Sequence, residues 1–198
     1  MKIGFIGLGI MGSRMAANLL DNDYEVIVFN RSKDKAERLI EKGAERGGSI
    51  EKTAENSDIL ISMVSTPKAV GDIAFSDDGI IANMKRDSLW INSSTINPSF
   101  AELTAMKAVN AGIRYLDAPV LGSLNQAEAR NLIFLIGGNK NDVDENDRLF
   151  KSMGKSIVFA GSYGAGSSLK MVVNMMMGYV TAGFSEAMHL GEALGLSR

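Results

Sequence analysis

Six residues near the N-terminus constrain this chain more than any others: Gly7-Leu8-Gly9-Ile10-Met11-Gly12, a G-x-G-x-x-G hexapeptide. Glycine is common at turns and the chain has 21 of them, so the hexapeptide alone says little. Its flanks decide. The apolar run Lys2–Ile6 ahead of it suits a buried strand. Gly12–Asp21 behind it reads as a helix with Met15, Ala16, Leu19 and Leu20 on its packing side. A glycine-rich turn between a buried strand and a helix is the setting in which this spacing holds a dinucleotide. Gly7 permits the tight turn, Gly9 lets the backbone approach a pyrophosphate, and Gly12 lets the helix lie close to the strand. The helix N-terminus adds unpaired N–H groups and the positive end of its dipole.

Strands and helices continue to alternate along the chain. Tyr24–Asn30, Asp58–Val64, Asp87–Asn92, Arg114–Ala118, Leu132–Ile136 and Ser156–Phe159 read as strands. Ser32–Lys42 reads as a charged amphipathic helix capped by Ser32 and stopped by Gly43, with further helices at Pro98–Ala111 and between Asp142 and Met153. This order predicts the α/β class, with a doubly wound, mostly parallel sheet of the Rossmann kind over residues 1–163. The alternation stops near Phe159. After Gly164-Ala165-Gly166, the proline-free stretch Ser167–Leu194 predicts one helix of about 28 residues, roughly 42 Å long.

Composition narrows the chemistry. With no cysteine, disulfides, zinc–thiolate sites, iron–sulfur clusters and thiol nucleophiles are excluded. The formal net charge is −2 with no basic block, which argues against a nucleic-acid partner. The N-terminal apolar stretch is short and broken by glycine, unlike a signal peptide or membrane span, so a soluble, cytoplasmic protein is expected. Asp142, Asp144, Glu145 and Asp147 lack calcium-loop spacing and read as a solvated face, and no metal is expected. His189, the one histidine, stands apart from every motif. The methionines at Met171 and Met175–Met177 read as adaptable packing.

The end of the second strand bears on which dinucleotide is held. An NAD site places an acid about 20 residues beyond the glycines, for the ribose 2′-hydroxyl. Here the corner is Asn30-Arg31-Ser32, followed by Lys33, with no acid. Arg31 has a fork of donors for a 2′-phosphate and Ser32 a hydroxyl, so NADP(H) is expected.

Four separated motifs together resemble the β-hydroxyacid dehydrogenase family, which includes 3-hydroxyisobutyrate dehydrogenases, tartronate semialdehyde reductases and NADPH-dependent glyoxylate/succinic semialdehyde reductases. They are Gly4–Gly12 running on to Asn18-Leu19, Ser94-Thr95 with Pro98, Asp117-Ala118-Pro119-Val120 with Gly122-Ser123, and Gly164-Ala165-Gly166 with Lys170 and Asn174. The resemblance implies that Thr95 lies beside the nicotinamide and that Met63, Val64 and Ser65 line the adenine-ribose and pyrophosphate side. It implies that Val120, Gly122 and Ser123 receive a substrate carboxylate, that Lys170 is the proton donor and acceptor, and that Asn174 helps fix the substrate. Leu121 departs from the serine usual in the family, which leaves the choice of small hydroxyacid or semialdehyde open. Imine reductases share the architecture but generally replace the lysine. The family also implies that residues 164–198 open a second, all-helical domain, cut short here. Association through the Met-rich helix, as a homo-oligomer or with that domain on a separate chain, is then expected. The alternative to an oxidoreductase is a non-catalytic NADP-binding module.

Lys170 also makes sense on its own residues. Leu169, Met171, Val172 and Val173 surround it, and burial lowers a lysine pKa toward the range useful for proton transfer. Lys170 and Asn174 stand four apart on one helix face, and Thr181 and Ser185 extend that polar line. Asp117, ahead of Ala118-Pro119, reads as a turn-fixing residue rather than an acid.

Overall fold

The computed structural model describes residues 1–196. Strands β1 (Lys2–Ile6), β2 (Glu25–Phe29), β3 (Glu45–Arg46), β4 (Ile59–Ser62), β5 (Leu89–Asn92), β6 (Arg114–Asp117), β7 (Val120–Leu121), β8 (Leu132–Gly138) and β9 (Gly154–Gly161) form one sheet. The helices are α1 (Ile10–Leu20), α2 (Glu37–Glu41), α3 (Ile50–Glu55), α4 (Pro67–Ala74), α5 (Ile80–Asn83), α6 (Pro98–Asn110), α7 (Leu124–Glu128), α8 (Lys140–Glu145), α9 (Asp147–Met153) and α10 (Ala165–Ala193). The first six strands run parallel in the order β3-β2-β1-β4-β5-β6. Both β6 and β7 pair antiparallel with β8 in one continuous register, from Leu116↔Gly138 to Leu121↔Ile133. They are one line interrupted at Ala118-Pro119, where proline has no N–H to give the ladder. β9 closes the far edge, parallel to β8.

Both faces of the sheet are buried, which is why its strands read as near-continuous apolar runs. Ile3, Phe5, Val26, Val28 and Ile61 pack with Met15 and Leu19 of α1 on one face. Leu60, Trp90 and Tyr115 pack with Ala101, Ala105 and Ala108 of α6 on the other. The small alanines let α6 lie close over Trp90 and Tyr115, whose rings meet edge-on at 5.1 Å.

One expected helix is different. Residues Ser32–Lys42 form a 3₁₀ turn, Lys33–Ala36, followed by the five-residue α2. Ser32 makes no side-chain cap. A 3₁₀ turn leading into an α-helix N-terminus is common, and each piece buries one residue, Ala36 and Leu39. The stop at Gly43 holds: its φ is +109° and the Gly43 and Ala44 N–H groups bond back to Ile40 and Leu39. The segment before Met153 is two helices meeting at Asn146.

The long helix α10 lies against the sheet only at its first turns, where Gly166 and Ser167 are buried. A Cβ at Gly166 would stand 2.4 Å from the Leu135 carbonyl oxygen and 2.6 Å from that of Asp117. These are backbone atoms that have little room to move. Gly166→Ala should therefore cost about 2 kcal/mol or more of stability, read as a lowered urea midpoint; an unchanged midpoint would contradict this docking.

Candidate active site

The strand order reverses at β1, whose neighbours are β2 and β4. Loops leaving such a switch point diverge and open a crevice at the carboxyl ends of the strands. The loops of Gly7–Gly12, Asn30–Ser32, Met63–Ser65 and Ser93–Thr95 all leave the sheet along this edge. Backbone bonds extend the ladder into them: the Gly7 N–H to Phe29 (3.0 Å), Met63 to Ile6 (2.9 Å) and Ser93 to Ser62 (2.8 Å). All the residues expected to hold the dinucleotide thus share one edge.

Each glycine of the loop has its own constraint. Gly7 has φ +97°, and a Cβ there would stand 2.3 Å from the Met63 carbonyl oxygen. At Gly12 it would stand 2.0 Å from the Gly7 carbonyl oxygen. At Gly9 nothing lies within 4 Å. The protein therefore needs glycine at the first and third positions for its own packing, whereas the second borders open space at the N-terminus of α1. That is the cradle a pyrophosphate requires, and the residues present fit the group. Leu8 is buried, Met11 partly buried and Ile10 exposed.

Asn30 clasps this loop. Its Oδ1 accepts the Leu8 N–H at 2.9 Å and its Nδ2 donates to the Ser32 carbonyl at 3.0 Å. Arg31 and Ser32 beyond it are exposed. A cavity of about 540 Å³ at this corner is lined by Asn30, Arg31, Lys33, Glu37 and Arg46. Arg46 was not legible in the sequence; the two-residue strand β3 brings it beside Val28.

A buried polar network, also missed from sequence, fixes the next two loops. Trp90 Nε1 donates to Ser62 Oγ (2.9 Å), which donates to Asn92 Oδ1 (3.1 Å), while Asn92 Nδ2 donates to the Tyr115 hydroxyl (3.2 Å). Asn92 Oδ1 also accepts the Ser94 N–H, and Ser94 Oγ accepts the Val64 N–H at 3.0 Å. Met63–Ser65 and Ser93–Thr95 are thereby held as one unit, with Ser65 and Thr95 exposed at its rim.

Asp117 does more than fix a local turn. Its carboxylate, 1% exposed, accepts the Gly164 N–H (3.0 Å) on one oxygen and the Ser167 N–H (2.8 Å) on the other. It serves as the cap that α10 lacks from its own N-terminus. Gly137 makes room for it, since a Cβ there would stand 2.4 Å from Asp117 Oδ1. The helix carrying Lys170 and Asn174 is thus anchored at the carboxyl end of β6, next to the strand that leads to Thr95. Lys170, on the second turn, is half-buried, and burial holds its amine below the ordinary lysine value. Asn174 is exposed one turn further on.

The remaining expected residues sit on the loop after β6. Val120 is buried in β7. Gly122 needs its φ of +122°. The Ser123 N–H and hydroxyl both donate to Gln126 Oε1, at 2.9 and 2.7 Å. A carboxylate arriving there competes with Gln126 for both donors. The short helix α7 that follows is tied to α1 by Asn18 Nδ2, which donates to the Ala127 carbonyl at 2.7 Å. Among the described residues, no group of three or more acidic or histidine side chains is arranged to hold a metal ion, and no helix is long and apolar enough to cross a membrane.

Comparison with known proteins gives consistent matches. Residues 2–161 match the family model described as the NAD binding domain of 6-phosphogluconate dehydrogenase. The chain is 37% identical over 194 residues to a 3-hydroxyisobutyrate dehydrogenase of Pseudomonas aeruginosa, covering 98% of this chain and 65% of that one. It is 35% identical over 196 residues to the chloroplastic glyoxylate/succinic semialdehyde reductase 2 of Arabidopsis thaliana, covering 99% and 55%. A solved 3-hydroxyisobutyrate dehydrogenase of Mycobacterium tuberculosis, determined with L-serine, superposes with a TM-score of 0.93 at 31% identity, covering 99% of this chain and 66% of that one. The chain therefore spans between about half and two thirds of the length of these relatives.

Two outcomes follow from this geometry. Gly9→Ala meets no protein atom, so stability should fall by less than about 1 kcal/mol while affinity for a nicotinamide dinucleotide drops about tenfold or more by fluorescence titration. Equal affinity would remove the pyrophosphate from Gly9. Burial raises the Asp117 carboxyl to about 6, against the pull of the Ser167 and Gly164 N–H groups. An unfolded aspartate titrates near 3.9, so the native state binds this proton more tightly. The group's contribution to stability is full below pH 4 and is lost as pH rises through about 6, about 2 kcal/mol between pH 4 and 8. Asp117→Asn cannot ionise, so the stability difference between variant and wild type should move by that amount toward the variant over the same range in urea unfolding. A constant difference would contradict the assignment.

Proposed function

The chain belongs to the family of the NAD binding domain of 6-phosphogluconate dehydrogenase, and from that premise we propose that it is an NADP(H)-dependent oxidoreductase acting on a small hydroxyacid or semialdehyde. The observation that carries the proposal is the placement of Lys170. It is a half-buried amine, lowered in pKa, on a helix whose cap is rooted in the strand edge that carries the glycine cradle.

When bound, the cofactor supplies or accepts a hydride at the substrate carbon. Gly9, Ile10 and Met11 bring the backbone N–H groups of the α1 N-terminus to the pyrophosphate, while Gly7 and Gly12 set the turn and the close approach of the helix, and Arg31, Ser32 and Lys33 face the 2′-phosphate. Met63–Ser65 line the ribose side, and Thr95 orients the nicotinamide. Lys170 donates its proton to the carbonyl oxygen during reduction and takes it back during oxidation. Lowering its pKa by burial brings the two directions closer to balance at neutral pH. Val120, Gly122, Ser123 and Asn174 position the substrate. The exposed apolar residues of α10, among them Val172, Met175, Tyr179 and Phe184, support association through this helix.

The test pairs NADPH binding with NADPH oxidation across a panel of semialdehydes and small oxoacids. Lys170→Ala should leave NADPH affinity within about twofold and lower turnover at least about 100-fold. Unchanged turnover refutes the role of Lys170. Tight NADPH binding by the wild type with no oxidation of any panel member assigns a binding module instead.

A further inference from the structure

The cavity at the end of β2 contains one acid among its cations. Glu37 lines the same wall as Arg31, Lys33 and Arg46. An acid at this corner is what an NAD-type site uses to bond the ribose 2′-hydroxyl, and it repels a 2′-phosphate. Glu37 does not face the cavity alone. Arg46 Nη2 donates to both of its oxygens, at 2.8 and 2.7 Å. The backbone of Arg46 is held in place: β3 pairs Arg46 with Val28, and the next N–H, of Gly47, donates to the Val28 carbonyl at 2.9 Å. Gly47 is itself close-packed, since a Cβ there would stand 2.0 Å from Thr53 Oγ1. The two-residue strand thus sets where the Arg46 side chain starts, and the paired bonds to Glu37 set where its guanidinium stands.

We propose that the Glu37–Arg46 pair is a cofactor-selectivity device, in which Arg46 withholds the Glu37 carboxylate and keeps the corner receptive to a 2′-phosphate. The inference rests on the NADP(H) reading of this site and deepens it. Arg46 acts here through Glu37 and is a positioning residue. Both side chains are exposed at the rim, so replacing either leaves the core intact and changes stability by little.

The experiment is fluorescence titration of NADPH and NADH with four proteins: wild type, Arg46→Met, Glu37→Gln and the double variant. Arg46→Met frees the acid, so NADPH affinity should fall about tenfold and NADH affinity should hold or rise, shifting the ratio toward NADH. In the double variant no acid is left to free, so NADPH affinity should return to within about threefold of wild type. Glu37→Gln alone should bind NADPH at least as well as wild type. An affinity ratio unmoved by Arg46→Met overturns the proposal, as does a double variant as weak toward NADPH as the single one. Wild type that binds NADH as tightly as NADPH contradicts the NADP(H) reading instead, whichever way the Arg46→Met ratio moves.

Discussion

The close approach of α1 to the turn after β1 is the contact on which the rest of the site depends. Gly12 stands where any side chain would overlap the Gly7 carbonyl, and Gly7 where any would overlap the Met63 carbonyl. These two absences of a Cβ bring the helix N-terminus down to the sheet edge. They also leave Gly9 and Ile10 exposed at the tip of the loop. From α1 the same constraint spreads outward through Asn18, whose amide holds α7 and so the loop carrying Gly122 and Ser123. A shift of α1 would disturb the cofactor cradle and the substrate side together.

A second joint supports the other half of the site. Asp117 reaches from the end of β6 to the start of α10 and satisfies N–H groups that the helix leaves unpaired. The surrounding glycines, Gly137 and Gly166, admit a carboxylate and a helix backbone into the space of a side chain. Such a joint sets the angle at which a long helix leaves the sheet, and a small error there grows along 29 residues. Lys170 sits close to the anchor, where that error is smallest. The buried ionisable group is accepted, despite its desolvation cost, because it serves as the tertiary cap of α10.

What the sequence made legible was local. The glycine loop, the strands flanking it, the Asn30-Arg31-Ser32 segment and the long proline-free helix were all readable from neighbours in the chain. Contacts between distant residues were not. Asp117 meets Gly164 and Ser167 across 47 and 50 positions, and nothing beside it distinguishes a tertiary cap from a turn. Ser62 and Asn92 belong to no motif, yet together they tie two loops of the site with Trp90 and Tyr115. Arg46 lies in a strand too short for a periodic signal. Ser32–Lys42 had the composition of one helix, but it divides at Ala36 into a 3₁₀ turn and a short α-helix. The candidate residues themselves were visible through separate motifs; the parts that orient them were not.

The central claim is that a nicotinamide dinucleotide lies along the carboxyl edge of β2, β1, β4 and β5. Hydrogen exchange read by mass spectrometry, with and without saturating NADPH, tests it most directly. Slowed exchange at residues 7–13, 30–33, 63–66 and 93–96, with α8, α9 and the amino ends of the parallel strands unchanged, is the result the structure predicts. Saturable binding that leaves those four loops unprotected, or protects the opposite edge of the sheet, would contradict it.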